Sequence, residues 1–419
     1  MSLPENASKL SNDEIYDKLK GCIFGAALGD AVGLATEFLS KERAKKLYGI
    51  GPISFGSDKG YKFYVDRHRG KWFEGEWTDD TELDNKPPNG IGKTVGTVLR
   101  HSKFMRQPHR AAWDTWIQFN CNMAANGALM RTAILGFPFF WDEKQVIKQT
   151  LQATKTTHAD PRCCVSSVIV TILISRLIQG NIQESLPDLD DSTKQNILKS
   201  FAKQVVNKVG TFLSDKNDQE TLWYERQKKI NASLNSSKQD REVPEIPDPL
   251  PPGMDTFGAD PEILALTKSV VDRYKFMINT ASPNKVELTK GSRFSKFQTD
   301  MSEIALLQHC FPDTLADLKL DESSGIGYVY KCLGAGLYCF TRNLNKQSSE
   351  GDAFKKIITE LILEAGDADT NGAVAGALLG ARIGYNKLPK EWVEGLKFID
   401  WLEKRIDSLW SILSSKEQK

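Results

Sequence analysis

The chain has 419 residues, of which 40% are hydrophobic and 26% charged, and its formal net charge is +1. That balance suits a globular protein with a large buried core and gives neither nucleic acid nor an anionic membrane an electrostatic claim on it. Seven cysteines, with no C-x-x-C pair and with Cys163 and Cys164 adjacent, argue against a disulfide framework or a zinc ribbon. The opening MSLPENASKLSNDEIYDKLK has no apolar signal core, and the most apolar-looking stretches carry Asp30, Glu37 or Arg382. The expectation is a reduced, cytoplasmic or nuclear monomer with no membrane span.

In chain order, residues 1–10 read as a flexible start, and Ser11 with Asn12, Asp13 and Glu14 opens a helix whose pattern continues to about Phe38. Gly21, Gly25, Gly29 and Gly33 recur along it at every fourth residue, which lines one ridge of a helix and admits a second backbone at short range. Gly372, Gly376, Gly380 and Gly384 repeat the device near the other end, predicting two central helices in close contact. Residues 41–74 are glycine-rich and aromatic, a loop with short helical turns leading to GEWTDDT at Gly75 to Thr81. Glu82 to Asn89, ELDNKPPN, cannot sustain a long helix past its two prolines. NGIGKT at Asn89 to Thr94 is no P-loop, because Pro87 stands where the first glycine is required and no strand precedes it.

NGALMR at Asn126 to Arg131 is an Asn-Gly turn opening onto a helix, able to offer backbone donors to an anion. His158 precedes Asp160, an N-cap, and Pro161 at the first helical position. Cys163 to Leu177 is nearly all apolar and ends at Gly180, predicting a buried helix. From 181 to 259 the chain turns polar and then proline-rich, an insertion within one domain running over 11–413. Helical periodicity resumes over Pro261 to Ala281, Tyr328 to Phe340 and Trp392 to Leu413, and 414–419 reads as a flexible end. Alternating strand patterns are scarce, so the fold expected is a single all-α domain.

Thr78, Asp79 and Asp80, together with Asp367, Asp369 and Thr370 of GDADT, would form a set of six oxygen donors if folding joined them. Carboxylate and hydroxyl oxygens suit Mg²⁺, Mn²⁺ or Ca²⁺, whereas zinc, copper and iron–sulfur centres call for His or Cys. Each segment alone also reads as a helix cap, with Asp79 and Glu82 spaced as a capping box.

Five blocks taken together, GCIFGAALGDAVGLATEF, GEWTDDT, NGIGKT, NGALMRT with THADPR, and GDADTNGAVAGALLGA, resemble the ADP-ribosylglycohydrolases, from about Leu19 to Trp392. The resemblance implies a metal-dependent hydrolase that removes ADP-ribose from modified protein side chains or related small molecules. It implies two Mg²⁺ ions, or Mn²⁺, held by Thr78, Asp79, Asp80, Asp367, Asp369 and Thr370. Asp79 or Asp80 would be the base, and Glu37 would stand beside the substrate. Gly90, Gly92, Asn126, Gly127 and His158 would hold the ADP-ribose. Relatives of this kind usually carry a further helical hairpin after the first acidic motif, which is absent here. The alternative function is accordingly a catalytically weak relative that binds ADP-ribose or serves structurally.

Overall fold

The computed structural model describes residues 4, 6–51, 53, 64–78, 81, 91–119, 121–180, 258–281, 303–344 and 349–414. These fall in one of two compact units, made of Met1–Asp188, Phe257–Ser282 and Leu288–Lys419. The polar stretch expected as an insertion lies outside the described residues up to position 257.

In order, the helices are α1 (Asn12–Gly33), α2 (Lys41–Tyr48), α3 (Lys93–Leu99), α4 (Pro108–Gln118), α5 (Leu129–Thr132), α6 (Glu143–Lys155), α7 (Pro161–Gln179) and α8 (Pro261–Tyr274). They continue as α9 (Phe276–Ala281), α10 (Glu303–Cys310), α11 (Val329–Phe340), α12 (Glu350–Ile362), α13 (Ala368–Ile383), α14 (Lys390–Gly395) and α15 (Ile399–Ser414). Among the described residues there is no strand, only isolated bridges pairing Ala125 with Tyr328 and Ala259 with Arg342.

α1 and α13 form the centre. The start of α1 is fixed by a capping box, in which the Ser11 hydroxyl accepts from the Glu14 amide while the Glu14 carboxylate accepts from Ser11. Past that polar turn, α1 is buried along most of its length. A Cβ placed on Gly25 would lie 2.1 Å from the carbonyl oxygen of Gly376, and one on Gly29 would lie 1.8 Å from that of Gly372. Both are far inside contact distance, so only glycine lets these two backbones meet. Gly384 departs from the expected row, for it lies just past α13 with φ +86° and closes the helix beside Asp17. α1 likewise stops at Gly33 rather than near Phe38, because Phe38 takes a left-handed φ of +56° and sends its N–H to Gly366.

α7 behaves as expected: Asp160 caps it, Pro161 opens it, Gly180 ends it at φ +71°, and every residue from Pro161 to Ile178 is buried. It is long and apolar enough to cross a membrane, with mean hydropathy 1.6, yet that stretch is wholly enclosed by other helices. The last predicted helix is two, α14 and α15, parted around Phe398, whose φ of +57° no α-helix accommodates.

Candidate metal and ligand site

Two turns at the same end of the central pair bring carboxylates together. Glu37 leaves the turn after α1, Asp367 is the N-cap of α13 and Asp369 lies in its first turn. One oxygen of each lies within 4.8 Å of the others. Backbone bonds stitch the two turns, from Phe38 N–H to the Gly366 carbonyl at 2.6 Å and from Gly366 N–H to Leu39 at 3.3 Å. Phe38, Ala365 and Gly366 all sit at positive φ here, and a Cβ on Gly366 would stand 2.1 Å from the Leu320 carbonyl. Left-handed non-glycine backbone of this kind persists only where surrounding contacts enforce it.

Thr78 reaches the same place. Its hydroxyl lies 3.5 Å from Asp369 Oδ2, and the Thr370 amide donates to Asp369 Oδ1 at 2.8 Å. Thr78, Asp369 and Thr370 are buried. Thus Thr78, Asp367, Asp369 and Thr370 of the expected donor set converge, while Asp79 and Asp80 lie outside the described residues. Glu37, expected beside the substrate, stands within the acid cluster itself. Its Oε2 is 2.6 Å from His68 Nε2, and Arg69 fastens the His68 segment by donating to the carbonyls of Ala35, at 2.8 Å, and Glu37. His68 was illegible in the sequence because it sits in an irregular stretch; its one signal is the D-x-H-R run at Asp66 to Arg69.

The cluster suits a hard cation. Burial foremost, joined by the charge of Glu37 and opposed by the hydrogen bond from the Asn126 amide, pushes the Asp367 carboxyl up to about 6. Like charges in a desolvated pocket disfavour one another, and oxygen-coordinated divalent metal relieves that repulsion.

On the adjoining side, Asn126 donates from Nδ2 to Asp367 Oδ2 at 2.7 Å and from its backbone to Gly327 at 3.0 Å. Gly127 follows on a short 3-10 turn, and a Cβ there would meet the His158 ring at 3.3 Å. The Thr157 hydroxyl accepts from Arg131 at 2.8 Å and lies 2.8 Å from His158 Nδ1. In the tautomer where that hydroxyl donates to Nδ1, the ring proton sits on Nε2, which is buried with no hydrogen-bond partner among the described residues. Burial foremost, aided by the Arg131 charge, pulls His158 down to about 3, leaving a neutral imidazole. Gly92 caps α3 in an exposed position where an added Cβ would meet nothing within 4 Å, and Gly90 lies outside the described residues.

A buried pair that sequence reading passed over braces this loop. Asp160 Oδ2 accepts from Arg162 at 2.8 Å and from the Trp116 indole at 2.9 Å, and Arg162 also donates to Asn122 Oδ1 at 3.1 Å. The chain from Asn122 to Asn126 is thereby tied to the start of α7.

Residues 11–85, 83–246 and 262–418 match the family model for ADP-ribosylglycohydrolase. The putative ADP-ribosyl glycohydrolase L543 of Acanthamoeba polyphaga mimivirus is 33% identical over 86 residues, 20% of this chain and 23% of that protein. An uncharacterized protein of Archaeoglobus fulgidus is 38% identical over 184 residues, 38% of this chain and 55% of the relative. ADP-ribosylarginine hydrolase Tri1 of Pseudomonas putida is 32% identical over 83 residues, 19% of this chain and 18% of the relative. The matches span less than two thirds of the length of each of these relatives. A solved structure titled ADP-ribosylglycohydrolase-related protein complex is similar at TM-score 0.44 and 16% identity, covering 96% of this chain and 100% of that one. The family match takes in well over half of the residues, and the chain belongs to the ADP-ribosylglycohydrolase family.

Proposed function

We propose that this protein hydrolyses the glycosidic bond between ADP-ribose and a protein side chain. The observation that carries the reading is the convergence of Glu37, Asp367 and Asp369, with Thr78 beside them and the Asn126–Gly127 turn on their flank. Two Mg²⁺ or Mn²⁺ ions, held by Thr78, Asp79, Asp80, Asp367, Asp369 and Thr370, would supply the charge that orients ribose hydroxyls and acidifies an attacking water. Asp79 or Asp80 would serve as the general base toward an attacking water. His158 offers its Nε2–H, already desolvated and aligned by Thr157, to an oxygen of the diphosphate. Such a donor costs no reorganisation when the anion arrives. Gly92 and Gly127 leave backbone amides open to the same group. Asn126, turned by Asp367, couples the ligand side to the acid cluster.

The names of relatives support arginine among the candidate leaving groups, since one of them is an ADP-ribosylarginine hydrolase. Incubation with ADP-ribosylated arginine and serine peptides, with and without Mg²⁺, tests the proposal. Release of free ADP-ribose that requires the metal is expected. Tight binding of ADP-ribose without release from any substrate would instead make the protein a reader.

A further inference from the structure

Asp30 is fully buried on α1, and both of its oxygens are engaged by one short piece of chain. Oδ1 accepts the Thr78 amide at 2.9 Å, and Oδ2 accepts the Thr81 hydroxyl at 2.6 Å. The Thr81 amide returns to the Thr78 carbonyl at 3.3 Å, closing a turn. A buried carboxylate is costly unless donors surround it, so the turn and the carboxylate hold one another in place. The helix beneath does not yield, because Gly29 lies against Gly372 on the helix that carries Asp369. One rigid contact thus fixes Thr78 relative to Asp369.

We propose that Asp30 is a positioning residue for the metal-binding turn: it touches no cation and sets where Thr78 stands relative to Asp367 and Asp369. The inference rests on the binuclear site proposed above. Partners that orient ligands in this way typically account for about 10–100-fold in metal affinity.

The test is Mn²⁺ binding to the full-length protein, followed by loss of the free-ion electron paramagnetic resonance signal, with the thermal midpoint of metal-free samples alongside. Thr81→Val deletes one arm of the contact at a partly exposed position; it is expected to weaken Mn²⁺ about 10–100-fold and to lower the metal-free midpoint slightly, since Asp30 Oδ2 loses a donor. Thr81→Ser keeps the hydroxyl and should retain the wild-type affinity. Asp30→Asn, which removes the charge-assisted acceptors, should weaken the ion as Thr81→Val does. Wild-type Mn²⁺ affinity in both Thr81→Val and Asp30→Asn would overturn the role of Asp30 and leave the binuclear site standing. No Mn²⁺ binding by the wild-type protein would sink both together.

Discussion

His158 shows what a single buried side chain commits the protein to. Its ordinary value of 6.5 falls to about 3 on folding, so between those values the unfolded chain binds more protons than the folded one. Stability is then fully present above about pH 6.5 and declines as the pH drops, by ~1.4 kcal/mol for each unit within that window. His158→Gln removes the titrating group while keeping a donor. Urea midpoints measured from pH 7 to pH 4 are expected to fall less steeply in the variant than in the wild type, and equal slopes would show that His158 is not held neutral. The cysteines make the opposite kind of statement. Burial pushes Cys164 up to about 12 and Cys163 well above its ordinary value, so neither offers a thiolate at neutral pH. Alkylating reagents are expected to leave activity intact, and rapid inactivation prevented by ADP-ribose would place a cysteine at the site.

At the scale of elements, the paired glycine rows were legible because their spacing has a mechanical reading: every fourth residue shares a ridge. Gly29→Ala should therefore be destabilising by at least about 3 kcal/mol, the upper end of what overpacking costs, since its Cβ would lie 1.8 Å from a carbonyl oxygen. Gly92→Ala is the contrast. Its Cβ enters open space, so urea unfolding should be nearly unchanged, while ADP-ribose affinity falls if the amide there must approach a phosphate. Other elements were less legible. α6 and α12 are ordinary amphipathic helices without a glycine row or a chemical motif, and nothing in their sequence sets them apart from the motif-bearing segments around them. The separation of α14 from α15 depends on the positive φ of Phe398, which no propensity signals. The acid cluster was half legible: paired acidic motifs announced Thr78, Asp367, Asp369 and Thr370, whereas Glu37 and His68 came to it through backbone bonds between distant turns.

At the scale of the molecule, the site draws on both ends of the chain, so its integrity depends on the central helix pair more than on any local segment. Asp369→Asn should abolish most turnover and weaken Mg²⁺ in calorimetric titration, because a lost carboxylate removes charge from the whole cluster. The weak point is the connection after Thr81. Pro87 and Pro88 disfavour a long helix in the sequence there, and the family match is split at residues 83–85, where the resemblance implies a hairpin that this sequence is too short to carry. Apolar side chains beyond the break are open to solvent, with Ile91 44%, Leu99 42% and Met105 90% exposed. A metal ligand displaced by only about 1 Å can cost around a hundredfold in rate, so a ligand turn whose following sequence, with Pro87 and Pro88, cannot continue as a long helix is expected to turn over more slowly than one backed by such a helix. The experiment inserts a helical spacer of family length between Leu83 and Gly90 and compares thermal midpoint, Mg²⁺ affinity and turnover with the natural chain. All three are expected to rise, the midpoint because Ile91 and Leu99 gain cover and the other two because the ligand turn is braced. If none changes, the short connection already holds Thr78 where the cations need it, and Asp30 alone suffices as its support.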